Sequence, residues 1–243
     1  MRKGPLVRWY NTNTFYYTPV VEERLRSDGG ALDGKIDSAV LASGKGRIAL
    51  PDPLTFLDCC ENRHYAGREK LMLAYCDRVL GPTLRRASGL GLSYVQFSAP
   101  ALVARFRQEK VGWDELRQLG EGLRSALRGT RLRSGYHTFF GDATPYLPKL
   151  FDVIPTDDLG FDLTETDPAL VEGDASKGVI AGAASSRSSY VESPAELAKK
   201  VEVLKDRFRL VTLSPSADLQ HVPRPVADEK LKNLSRARRL LTA

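Results

Sequence analysis

The sequence predicts an α/β fold of the TIM (β/α)8-barrel type, and three observations carry that expectation. Short β-rich runs alternate with helical patterns along the chain, the order that joins parallel strands through right-handed crossovers. Several of these runs are apolar with little alternation, as strands covered on both faces are. A doubly wound open sheet, the structural rival, usually carries a glycine-rich phosphate turn after its first strand. Here that place holds Asn13-Thr14-Phe15-Tyr16-Tyr17, with no glycine.

Seven runs read as strands: 6–12 (LVRWYNT), 46–51 (GRIALP), 92–98 (LSYVQFS), 132–140 (LRSGYHTFF), 159–164 (LGFDLT), 178–186 (GVIAGAASS) and 209–216 (RLVTLSPS). Between them lie amphipathic helices. Residues 68–87 place Leu71, Tyr75 and Val79 on one face, and 113–127 align Leu116, Leu119, Leu123 and Ala126. Residues 193–208 open on Ser193-Pro194-Ala195-Glu196, a capping box with proline at the first helical position. Residues 228–241 end in basic side chains, which the helix dipole favours there. The loosest stretch, 27–46, reads as a loop with a short helix. No linker divides the chain, so 1–243 reads as a single domain.

Composition narrows the class. With 42% hydrophobic and 27% charged residues the chain is ordinarily globular, and no apolar run approaches the ~18 residues of a membrane span. Its three cysteines, Cys59, Cys60 and Cys76, are no disulfide framework, which points to the reducing cytoplasm. Adjacent Cys59 and Cys60 would point about 100 degrees apart on a helix, so a shared metal ion there is not expected. The net charge of +6 gathers in arginines at 85–86, 124–133 and 236–239. These fall on polar helix faces without interleaved aromatics, so they are expected to be solvated rather than to bind nucleic acid.

Barrel chemistry sits at the C-terminal ends of the strands. Read in order, those ends offer Asn11 and Asn13, Asp52, Ser98, His137, Asp162 and Glu165, Ser186 and Arg187, and Ser216, Asp218 and His221.

The order of these segments resembles the N-terminal barrel of cobalamin-independent methionine synthase. Residues 8–19 (RWYNTNTFYYTP) are similar to that family's K-W-F-D-T-N-Y-H-Y-x-x-P. The likeness continues with 48–56 (IALPDPLTF) against V-L-L-G-P-V-T-F and 94–102 (YVQFSAPAL) against W-V-Q-I-D-E-P-A-L. It ends with 137–141 (HTFFG) against A-T-Y-F-G and 214–223 (SPSADLQHVP) against A-P-S-C-S-L-L-H-V-P. It runs from residue 6 to about residue 240. The resemblance implies two linked barrels in the family. The C-terminal one binds homocysteine as a zinc thiolate; the N-terminal one has lost the metal and shapes the folate side.

The departures matter. Where the family's catalytic half carries His-x-Cys, Glu and Cys, this chain has His137 with Phe139, Asp162 and Ala217, so zinc is not expected. Ser98-Ala99-Pro100 replaces the acidic pair of D-E-P-A-L, leaving no carboxylate for a homocysteine ammonium. The family's first strand has no counterpart in residues 1–5, so seven βα units of eight are expected. The wall should then be open, plugged by local loops or termini or closed by a partner, and a late-assigned gene start would look the same.

The leading expectation is a stand-alone relative of the N-terminal barrel acting in methionine formation. It would be a folate-side or accessory subunit of a separate zinc-bearing barrel, of methyltransferase type but not catalytic alone. Asn11, Asn13, Ser98 and Arg187 would bind a methyltetrahydrofolate-type donor. His137, Asp162 and His221 are the candidates for acid–base work, with His137 and Asp162 facing each other. A different small-molecule methyltransferase of the superfamily, or a degenerate barrel serving as a protein partner or pairing with itself, are the alternatives.

Overall fold

The first β-rich run does not enter the parallel sheet. In the computed structural model, described for residues 1–10, 12–104 and 110–242, the strands along the chain are β1 (Arg2–Arg8), β2 (Phe15–Val21), β3 (Arg47–Pro51), β4 (Glu61–Asn62), β5 (Tyr94–Ser98), β6 (Arg133–Thr138), β7 (Asp158–Asp162), β8 (Gly178–Ala184) and β9 (Leu210–Pro215). β1 doubles back to pair antiparallel with β2, and β4 adds two residues beside β2. The six later runs form one parallel sheet in the order β3-β5-β6-β7-β8-β9. The expected count of seven barrel units is therefore corrected to six parallel strands and a hairpin.

The reason is local. Trp9 N–H donates to the Thr14 carbonyl at 2.8 Å, Thr12 Oγ1 to the Trp9 carbonyl at 2.5 Å and Thr14 N–H to Thr12 Oγ1 at 3.1 Å. Short Asn and Thr side chains that bond nearby backbone favour a turn over a continuing strand. The aromatic and β-branched run 15–21 supplies the return strand.

Helices cover the parallel sheet: α1 (Ser38–Ala42), α2 (Pro53–Cys59), α3 (Arg68–Tyr75), α4 (Gly81–Gly89), α5 (Pro100–Val103), α6 (Trp113–Leu127), α7 (Leu150–Val153), α8 (Pro194–Lys205) and α9 (Arg224–Thr242). The helix expected over 68–87 is α3 and α4 joined by a π-helical turn, Cys76–Leu80. Pro82 lies two residues past Leu80; it lacks an N–H and its ring crowds the preceding turn, which the wider π spacing relieves. α6 matches its expected bounds. α8 carries the expected capping box between Ser193 and Glu196.

β7 and β8 are buried along their whole length, while β3 and β9 are partly exposed. That gradient follows from position: central strands are covered on both faces, and β3 and β9 are the two edges of a sheet that does not close. The apolar core runs from Phe97, Tyr136 and Phe161 to Leu116 and Leu123 of α6 and Val201 of α8. It also takes in Tyr10 from the hairpin turn. The hairpin turn thus packs Trp9 and Tyr10 onto the core at the C-terminal side of the sheet. Among the described residues no helix is long and apolar enough to cross a membrane.

Candidate functional site

The hairpin turn brings aromatic side chains to the C-terminal ends of the parallel strands. The Trp9 ring stacks on His221 at 5.9 Å between centroids, 20° from parallel, and meets Phe140 edge-on at 5.8 Å and Phe139 at 6.3 Å. Arg187, in the loop after β8, holds its guanidinium 4.9 Å above the Phe140 ring and pairs with Glu165 after β7. Segments following β6, β7, β8 and β9 therefore converge with the hairpin on one aromatic wall with a cation beside it. Phe140 holds its place with φ at 69°, the left-handed region that non-glycine residues adopt at a cost.

His137, on β6, is 1% exposed. Two glycines make room for it. A Cβ at Gly160 would sit 2.6 Å from the imidazole, and one at Gly182 only 3.3 Å from Nε2. Nδ1 lies 3.5 Å from the Gln96 amide nitrogen, whereas Nε2 is buried without a hydrogen-bond partner. With the amide donating to Nδ1, the ring hydrogen resides on Nε2, a donor with no acceptor. Burial lowers the imidazole pKa to about 4, only partly opposed by Asp162, so the ring is neutral at pH 7. Because a Cβ at Gly160 would lie 2.6 Å from the imidazole, Gly160→Ala is expected to cost about 1–3 kcal/mol by overpacking. Chemical denaturation checks this, and Gly89→Ala, with open space at its Cβ, is the control that should leave stability unchanged or better.

His221 sits in the turn Leu219–His221 after β9. Its Nδ1 is 3.4 Å from Thr14 Oγ1, and its Nε2 too is buried without a partner. Desolvation lowers its pKa; Arg187 adds to that and Asp218 opposes it.

A second polar cluster lies under the hairpin. Asp52, wholly buried, caps α2 by accepting from the N–H groups of Leu54 at 3.3 Å and Thr55 at 2.9 Å, and from Tyr136 Oη at 3.0 Å. Burial raises this carboxyl to about 6 although those hydrogen bonds pull it down. Tyr10 packs over the cluster, and burial raises its phenol, with Cys59 and Asp52 adding to the effect.

The residues expected at the site meet different fates. His137, His221 and Arg187 come together around Phe139, Phe140 and Trp9. Ser98 ends β5 in register with His137 on one side and Pro51 on the other. Asn13 is exposed in the hairpin, accepting from Arg8 at 3.3 Å, outside the aromatic cluster. Asn11 lies outside the described residues. Asp162 does not hydrogen-bond His137: its oxygens accept from Thr164 N–H at 2.9 Å, Thr164 Oγ1 at 2.6 Å and Phe140 N–H at 3.2 Å. A carboxylate used this way braces a turn, while its charge still acts on the neighbouring His137 ring, opposing the effect of burial. Trp9, Phe140 and Tyr136 were not singled out from the sequence, whereas Asp52 was read there only as a strand-end residue. The signal for Trp9 and Phe140 was present, since both lie in segments that carry the family resemblance.

Zinc does not fit these residues. Phe139 and Ala217 carry no ligating atom, and Asp162 is committed to backbone and Thr164. Among the described residues no three His, Cys, Asp or Glu side chains gather to hold an ion.

An α/β wall of parallel strands, with its converging side chains at the C-terminal ends, defines a barrel-type domain. The chain belongs to the family of the cobalamin-independent synthase, N-terminal domain, whose model matches residues 3–209. It is similar to the 5-methyltetrahydropteroyltriglutamate–homocysteine methyltransferase of Ralstonia pickettii (strain 12J), 26% identical over 230 residues that cover 90% of this chain and 28% of that protein. The protein of the same description from Herpetosiphon aurantiacus is 25% identical over 246 residues, covering 93% and 30%. The chain thus spans under a third of the length of these relatives. Among solved structures it resembles a B12-independent methionine synthase from Shewanella sp. W3-18-1 in complex with selenomethionine, with a TM-score of 0.71 and 19% identity, covering 99% of this chain and 74% of that one. A methyltransferase from Methanosarcina mazei gives a TM-score of 0.62 at 12% identity over 99% of this chain and 76% of that one. The structural likenesses show the fold, and the family model shows the family.

Proposed function

We propose that the chain is the folate-side subunit of a methionine-forming methyltransferase and that its mouth holds a methyltetrahydrofolate-type donor. The observation that carries this reading is the aromatic wall of Trp9, Phe140 and His221 with the Arg187 guanidinium beside it. A flat heteroaromatic ring is held by stacking and edge contacts against such side chains, and appended carboxylates favour a nearby cation. The buried Nε2–H of His137 would supply one directional hydrogen bond to a ring carbonyl or nitrogen. A neutral donor suits an uncharged ring atom, and it keeps its hydrogen throughout the neutral pH range.

The chain's own residues supply positioning rather than transfer chemistry. Neither a thiolate-forming metal set nor a carboxylate for a homocysteine ammonium is present at the matching strand ends. The methyl acceptor would therefore be held by a separate zinc-bearing barrel of the family's C-terminal type. Reconstitution tests this. Methionine formation from homocysteine and methyltetrahydropteroyltriglutamate is expected to require both chains. Methionine formation by the zinc-bearing barrel alone, unchanged on adding this chain, would remove the accessory role.

A further inference from the structure

The open edge of the sheet at β9 has the chemistry of a strand-docking site. β9 pairs with β8 on one side, from Gly178 with Leu210 to Ala184 with Pro215, and no strand lies on its other side among the described residues. Along that free side runs a groove of about 730 Å³ between β9, α8 and α9. Leu210, Val211, Thr212 and Leu213 all line it in succession. Successive side chains of a strand point to opposite faces, so four neighbours can border one groove only if it follows the strand's backbone edge. The edge is also not blunted by the usual devices: its one proline is at the very end, and no charged side chain lies within 210–215.

The groove's chemistry selects an occupant. Its floor is apolar, with Phe208, Leu234 and Leu241, and its charged members are Lys205, Arg209 and Arg238 with no acidic residue among the lining. None of these three cations has a carboxylate partner among the described residues. A second copy of this chain would bring the same cations edge to edge in a protein of net charge +6, which like-charge repulsion opposes.

We infer that the β9 edge takes an extended segment of another protein, of alternating apolar and acidic side chains, which adds to the sheet as a further strand. Main-chain hydrogen bonds to β9 would give the affinity, and the apolar floor and three cations the selectivity. This inference does not rest on the reading of the mouth, which uses other residues.

Two capped nine-residue peptides test it, one alternating Val and Glu and the other Val and Lys, with binding followed by fluorescence anisotropy and backbone exchange by hydrogen–deuterium labelling. The Glu peptide is expected to bind and to slow exchange within 210–215 at least tenfold, while the Lys peptide does neither. Arg209→Glu combined with Arg238→Glu, both exposed positions, should weaken the Glu peptide at least tenfold and leave folate binding unchanged. Equal binding of the two peptides, binding of neither, or protection confined to other segments would overturn the inference. So would a chain that sediments as a dimer with 210–215 already protected.

Discussion

Asp52→Asn and His137→Gln are expected to tilt the pH dependence of stability in opposite directions. The Asp52 carboxyl is raised to about 6 in the fold, against about 3.9 in an unfolded chain. Its contribution is therefore fully present below about pH 4 and is lost as pH rises through 6, a change of about 3 kcal/mol. Asparagine keeps the Thr55 cap through its Oδ1 and can donate from Nδ2 to Tyr136 Oη, so Asp52→Asn should gain on the parent between pH 4 and 6. His137 works the other way. Its imidazole is lowered to about 4 from about 6.5 unfolded, so its contribution is present above pH 6.5 and lost as pH falls to 4, again about 3 kcal/mol. His137→Gln should therefore gain on the parent as the solution is acidified. In the parent the two trends offset each other over the shared window. Urea unfolding at half-unit steps from pH 4 to 7.5 gives the three curves, and variants that run parallel to the parent would remove both assignments.

The second large effect concerns the pair that locks α9 to the loop carrying Arg187. Lys230 Nζ sits 2.6 Å from Glu192 Oε2 with side-chain exposures of 0% and 10%. Glu192 also accepts from Ser185 N–H at 2.7 Å, Lys230 donates to the Tyr190 carbonyl, and Asn233 reaches the Glu192 carbonyl at 2.9 Å. Removing one member leaves a buried charge, so Glu192→Ala is expected to cost about 3–5 kcal/mol. The double change Glu192→Leu with Lys230→Met replaces the pair by apolar volume and should recover most of that loss. Equilibrium denaturation decides it; a cost under about 1 kcal/mol for Glu192→Ala would mean that the pair is not buried as described.

How much of this was legible in the sequence depends on what kind of interaction defined each element. Strands β3 and β5–β9 and helix α6 announce themselves through short β-rich runs, several of them apolar, and a clean stripe at helical spacing, which are local properties. The 6–12 run misled because its β propensity is real but its pairing partner is β2, and only the turn bonds of Thr12 distinguish a hairpin from a crossover. The site divides in the same way. His137 and Arg187 could be named because strand ends are where barrel chemistry lies. Asp162 has the same position but is spent on Thr164 and a backbone N–H, a distinction that needs side-chain geometry. Trp9 became part of the mouth only through the hairpin fold, which puts residue 9 against residue 221. Asp52 is legible as a strand-end residue, but its bonds to the start of α2 and to Tyr136 need side-chain geometry.

The central claim is that the mouth formed by Trp9, Phe140, His221 and Arg187 holds a reduced folate. Titrating the purified chain with 5-methyltetrahydropteroyltriglutamate by calorimetry, with Trp fluorescence in parallel, tests it most directly. The predicted result is saturable binding with quenching that Trp9→Phe abolishes, and at least tenfold weakening in Arg187→Ala. Absence of binding, or binding that Trp9→Phe and Arg187→Ala both leave unchanged, would contradict it.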